Sequence, residues 1–310
     1  MNPADWTAKD ILLLALGIVT AVYLYILGSA LSRARTAATA DGSPAPTLAG
    51  MATGFFANFW DTLGIGSFAT TTSIFRHWKM VRDEWIPGTL NVGHTIPTIV
   101  QAFIYTKIVP VDSLTLILMI IAAIAGAWLG AGVVSRWPRR RVQLAMGFAL
   151  LTAAVLLLMA QLGSNPAGGT ALALSGGKLA MAVGGNFALG ALMTLGIGLY
   201  APCMILVSLL GMNPTAAFPI MMGSCAFLMP IASARFIREK SYHPGISLGL
   251  LLGGIPAVLI AAFIVKSLPL TAVRYLVVVV VLYTAVNLLR SAYRDRAVPV
   301  KGAEPNTATT

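Results

Sequence analysis

The 310 residues are 57% hydrophobic and only 10% charged, with 21 Lys and Arg set against 10 Asp and Glu. A chain this apolar cannot present a charged soluble surface, so lipid must be its main solvent. The net charge of +11 would raise nucleic acid as a partner in a soluble protein; here the basic residues sit in short connections between apolar runs, where they orient the chain and meet anionic head groups, and no nucleic-acid partner is expected.

In chain order, Ile11 to Leu31 is the first of five windows, followed by Leu114 to Val134, Val142 to Leu162, Ile246 to Val265 and Ala272 to Leu289, that supply the roughly 20 apolar residues a hydrocarbon core demands. Residues 1–31 read as a retained transmembrane helix rather than a signal peptide. The apolar run is too long, Asp5, Lys9 and Asp10 precede it, and Arg33 and Arg35 follow it. Its amino end is expected outside, and a linker follows at 32–47.

An internal repeat organises the rest. Residues 62–66 read TLGIG and residues 194–198 read TLGIG again; Gly93 matches Gly223, and Pro138 before one apolar helix matches Pro269 before another. The units are 48–162 and 179–291, joined by a loop at 163–178 and followed by a disordered cytoplasmic tail at 292–310. Each TLGIG lies in about 28 to 31 apolar residues, too many for one straight span and too few for two. Gly-Ile-Gly supplies a break. If both segments cross, nine spans divide the Lys and Arg almost evenly between the sides. If both turn back there are seven, and only Lys9, Lys107, Lys178, Lys266 and Arg274 stay outside, leaving 16 of the 21 inside. Each unit then crosses three times, an odd number, so the second is upside down. The expected fold is an all-α polytopic membrane protein: one N-terminal helix and two inverted repeats, each a broken re-entrant helical hairpin followed by three transmembrane helices. Secondary transporters are repeatedly built this way, while channels and some intramembrane enzymes also use re-entrant loops.

After each Gly-Ile-Gly a half-helix begins, Ser67 to Phe75 and Leu199 to Leu210, with its amino end toward the centre. Free N–H groups and the positive end of the helix dipole would form an anion site without a buried cation. Gly64, Gly66, Gly196 and Gly198 would let backbone approach the ligand, and Thr62, Ser67, Thr70, Thr71 and Thr194 would add hydroxyl donors. Tyr200, Cys203 and Ser224 are further candidates for the substrate path. The competing reading is that the glycines serve only close helix packing. Asp61 at the first break and His94 in the next apolar helix are ionisable groups that hydrocarbon makes expensive. Either they carry a proton coupled to anion movement, or Asp61 caps the half-helix and His94 is a neutral hydrogen-bonding residue. Met193 and Ser224 hold the corresponding positions in the second unit. Cys203 and Cys225 lack a metal-binding or disulfide pattern, so no metal, cofactor or disulfide is expected. No GxxxxGK[ST] motif points to ATP.

The stretch GIGLYAPCMILVSLLGMNPTAAFPIMMGSCAF at 196–227, and less closely GIGSFATTTSIF with GTLNVGHTIPT in the first unit, resembles the TauE/SafE sulfite exporter and organosulfonate permease family over roughly residues 48–291. The sequence departs from the family's glycine-rich motif at Ser67 with Phe68 and at Leu199 with Tyr200. The resemblance implies transport of sulfite, a sulfonate or a related anion; the chain is expected to be a permease, not an enzyme, of the bacterial cytoplasmic membrane, and the seven crossings put its carboxyl end inside. Expected partners are that anion and membrane lipid, with a second copy of the chain as a further candidate. The rivals are an anion channel and a lipid phosphatase using His94, Arg76 and Asp61. Against the phosphatase, Arg76 would lie at the surface and Asp61 deep.

Overall fold

The computed structural model describes residues 7–36, 45–64, 66–82, 85–134, 169–193, 199–267 and 269–294, with scattered positions between 140 and 162. Every named element among them is a helix. Helix α1, Ala8–Thr36, opens on a reciprocal cap in which the Thr7 amide donates to Asp10 Oδ2 at 2.9 Å and the Asp10 amide donates to Thr7 Oγ1 at 3.3 Å. It continues past its apolar stretch into the expected linker. Helix α2, Leu48–Thr62, starts where Thr47 Oγ1 accepts the Gly50 amide. Helix α3 is Ser67–Trp78, α4 is Ile86–Ile108 and α5 is Ser113–Val134. The second set is α6, Gly176–Met193, and α7, Tyr200–Leu209, then a short 3-10 turn, Pro214–Ala216, that leads into α8, Ala217–Arg238. Helices α9, Pro244–Ser267, and α10, Leu270–Arg294, complete the chain. Among the described residues, Ala8–Arg33, Pro214–Arg238 and Pro244–Ile264 are each long and apolar enough to cross a membrane. The window from Val142 to Leu162 and the tail beyond Arg294 fall largely outside the described residues.

The register of side-chain contacts gives the path of the chain. Asn58 of α2 meets His94 of α4, Asp61 meets Gln101, and Thr62 meets Tyr105. Helices α2 and α4 therefore run in the same direction, and the segment between them, which contains α3, must lead back. A second doubling follows. The amide of Asn213, just past α7, donates to the Ala171 carbonyl, and Gly211 backs onto Gly169 and lies beside Lys178. The end of α7 thus returns to where α6 began. The first doubled segment opens at the end of the bundle where α4 starts, since His243, before α9, donates its amide to Thr89. The second opens at the other end, where the Asp112 amide before α5 donates to the Leu172 carbonyl.

Helices α4 and α8 form an antiparallel central pair, joined by Thr95 to Ser233 at 2.9 Å and by the stacked rings of Tyr105 and Phe218. Around it the packing crosses between the two halves of the sequence. Helix α2 lies parallel to α9, so close that a β-carbon on Gly253 would fall on the Met51 carbonyl. Helix α5 lies parallel to α6, where a β-carbon on Gly190 would fall on the Ala123 carbonyl. Small residues make such approaches possible and replace the hydrophobic drive that lipid does not provide. The equivalent glycines also find equivalent partners: Gly93 faces Leu250, and Gly223 faces Ile120. Helix α1 lies across the central pair, with Leu16, Tyr23 and Leu27 buried and the Tyr23 hydroxyl donating to the Val92 carbonyl at 2.8 Å.

Candidate functional site

The break between α2 and α3 is set by two glycines in the left-handed half of backbone space, Gly64 at φ 99° and Gly66 at φ 86°. This reversal brings the α3 amino terminus back onto the end of α2. Asp61 Oδ1 accepts the Ser67 amide at 2.5 Å, and Oδ2 accepts from Gln101 Nε2 at 2.9 Å. The same Gln101 nitrogen reaches Thr62 Oγ1, and Gln101 Oε1 accepts the Tyr200 hydroxyl at 3.0 Å. Asp61, Thr62, Ser67 and Gln101 are all buried. The α3 terminus, expected to stand open to an anion, is thus engaged by the protein's own carboxylate.

One turn back from the break toward the start of α2, His94 bridges the two arms of the doubled segment. Its Nδ1 lies 3.1 Å from Asn58 Oδ1 and its Nε2 lies 3.0 Å from Thr71 Oγ1. Asn58 Nδ2 donates to the Gly54 carbonyl, so the Oδ1 that faces the ring can only accept. Nδ1 therefore carries the proton, and in the neutral ring Nε2 accepts from the Thr71 hydroxyl. Phe68 lies beside the imidazole, with 6.0 Å between ring centroids and the rings tilted by 35°. The Thr70 hydroxyl is buried and has no hydrogen-bond partner among the described residues.

From the second half, Tyr200 at the start of α7 joins this cluster through Gln101. Cys203 is buried among apolar side chains, and Cys225 Sγ lies 3.7 Å from Met193 Sδ. Ser224 does not join the cluster. It donates to its own helix at Ile220 and accepts from Asn186, which also donates to the Met119 carbonyl. Thr194, Gly196 and Gly198 lie outside the described residues. Among the described residues no group of His, Cys, Asp and Glu could hold a metal ion.

Sequence reasoning missed Asn58, Gln101 and Tyr105. A signal existed for two of them: His94, Gln101 and Tyr105 recur at i, i+7 and i+11, on one face of α4. An amide inside a spanning helix is itself a mark of function or of interhelical bonding.

A bundle of apolar helices with a break lined by polar groups fits a permease, and the comparison with protein families agrees. The model of the family described as sulfite exporter TauE/SafE matches residues 3–159. The match takes in α1, which the resemblance read from the sequence had left out, and the first unit; the second unit, with the stretch at 196–227, lies beyond it. No curated protein and no solved structure matches the chain. With half of its length covered, the chain belongs to the sulfite exporter TauE/SafE family of membrane transporters.

Proposed function

We propose that this integral membrane protein is a secondary permease for a small sulfur-containing anion such as sulfite or an organosulfonate. It works by alternating access and couples the anion to a proton. The observation that carries the reading is the buried cluster at the α2–α3 break, which places one carboxylate, one imidazole and several hydroxyls beside an α-helix amino terminus, with a backbone amide and uncharged side chains bonded to Asp61 and His94. Such a site can exchange a proton and an anion without leaving net charge in hydrocarbon.

In this reading the substrate path is lined by Thr62, Gly64, Gly66, Ser67, Thr70, Thr71, Thr194, Gly196, Gly198, Tyr200, Cys203 and Ser224, and Asp61 with His94 handles the proton. The two units are inverted repeats. Support comes from the doubled segments opening at opposite ends of the bundle, and from the matching pairs Gly93 with Leu250 and Gly223 with Ile120. The amino end lies outside a bacterial cytoplasmic membrane and the carboxyl end inside, supported by the grouping of Lys9 with Asp112 at one end of the bundle and Arg33 with Tyr242 at the other.

The test is flux of labelled sulfite and of a small organosulfonate into proteoliposomes, with and without an imposed pH gradient. Saturable flux driven by the gradient supports the proposal. Gradient-independent conductance that does not saturate identifies a channel instead, and no flux of either anion ends the substrate assignment.

A further inference from the structure

The hydrogen bonds around Gln101 form one continuous chain between the two doubled segments. It begins at the Ser67 amide of α3, passes through both oxygens of Asp61, crosses the Gln101 amide of α4 and ends at the Tyr200 hydroxyl, on the first residue of α7. All four residues are buried. Tyr200 and Asp61 thus belong to different halves of the sequence, and Gln101 is hydrogen-bonded to both.

The chain has a fixed polarity. Asp61 accepts at both oxygens, Gln101 presents its NH2 to Asp61 and its carbonyl to Tyr200, and the tyrosine hydroxyl donates. If Oδ2 of the carboxyl group takes a proton and turns it toward Gln101, that oxygen becomes a donor facing the NH2 donor. The Gln101 amide then turns over or withdraws. If it turns over, its NH2 faces the Tyr200 oxygen, and the phenol must turn its own proton elsewhere. A change at the tip of the first doubled segment is converted into a reorientation at the tip of the second, with no charge passing between them.

We propose that Gln101 is a positioning residue that transmits the protonation state of Asp61 to Tyr200, so that the two helix breaks change state together. The proposal rests on the permease reading for its purpose. Its physical content is testable without transport.

Two measurements separate the two claims. In the reconstituted full-length protein, the carboxyl infrared band that disappears in Asp61→Asn belongs to Asp61. Tyr200→Phe is expected to shift this band, and the shift is expected to vanish when Tyr200→Phe is made in a Gln101→Met background, which keeps the side-chain length and removes the amide. In proteoliposomes carrying labelled sulfite, Gln101→Met is expected to move the midpoint of the pH profile of flux by about one pH unit, the size expected for one lost hydrogen bond to a charged group. Gln101→Glu, which keeps the acceptor toward Tyr200, is expected to keep the Tyr200 phenol band in place, whereas Gln101→Met moves it. An equal Asp61 band shift from Tyr200→Phe with and without Gln101 overturns the relay. If the native protein moves no sulfite while the infrared coupling is present, the relay stands and the substrate assignment falls.

Discussion

Asp61 and Ser67 stand six residues apart and are joined across the helix break by a hydrogen bond from the Ser67 amide to the Asp61 carboxylate. This bond supplies a partner to an amide that the first turn of α3 otherwise leaves unsatisfied. Asp61→Ala removes the acceptor for two buried donors, on Ser67 and Gln101, and is expected to cost ~1–3 kcal/mol for each. Asp61→Asn keeps one acceptor and is expected to fall between Asp61→Ala and the native protein. Thermal unfolding in detergent gives the order; equal stability of the alanine and native forms contradicts the capping role.

The hydrogen bonds of His94 assign its tautomer. Nitrogen NMR of the reconstituted protein with labelled histidine is expected to find a proton on Nδ1 and a bare, hydrogen-bonded Nε2. Thr71→Val should change the Nε2 resonance and leave Nδ1 nearly unmoved. Asn58→Leu should do the reverse. A ring with its proton on Nε2 contradicts this network.

Close approach of helices depends on particular glycines, and the structure separates those that matter from those that do not. A β-carbon on Gly253 meets the Met51 backbone, whereas one on Gly184 meets nothing within 4 Å. Gly253→Ala is expected to destabilise by ~1–3 kcal/mol because two backbones must separate. Gly184→Ala is expected to be neutral or to stabilise by up to about 1 kcal/mol, through helix propensity alone. Unfolding midpoints of the two variants side by side are the check; a shift of similar size in both refutes the assigned packing.

At the connection between α8 and α9, His243 Nδ1 accepts the Ile246 amide and so caps α9, and partial burial lowers its pKa below the ordinary 6.5. The neutral ring is therefore the folded form. Above pH 6.5 the stabilisation is fully present, and it is lost as the pH falls through 6.5 toward the lowered value, because the unfolded chain binds the proton first. His243→Asn retains a capping oxygen without a titrating ring. It is expected to flatten the pH dependence of the unfolding temperature below pH 6.5, and an unchanged slope removes His243 as its source.

Much of the backbone architecture was legible in the sequence because it depends on local chemistry. Gly64 and Gly66 mark a conformation that other residues avoid, so the break and the start of α3 at Ser67 could be read directly. The start of α2 at Leu48 follows a threonine cap. The site was only half legible. Asp61 and His94 stood out as ionisable groups in apolar surroundings, but their partners Asn58, Ser67, Thr71 and Gln101 come from three helices, and only the packed bundle says which face which. The pairing of α2 with α9 was not legible at all, since contacts between segments so far apart leave no periodic trace.

The crossed packing also fixes an order of events during synthesis. Helix α2, with Asn58 and Asp61 on it, enters the membrane early, yet the surface it docks on, α9, is made about 200 residues later. At about 5–20 residues per second, the ribosome needs about 10–40 s to supply it. At the start of that interval the carboxyl group has only α1 and its own unit for company. The Ser67 amide and the Gln101 side chain are both made within that unit, so the cap and the amide bond can shelter Asp61 while the nascent chain waits for its last partner.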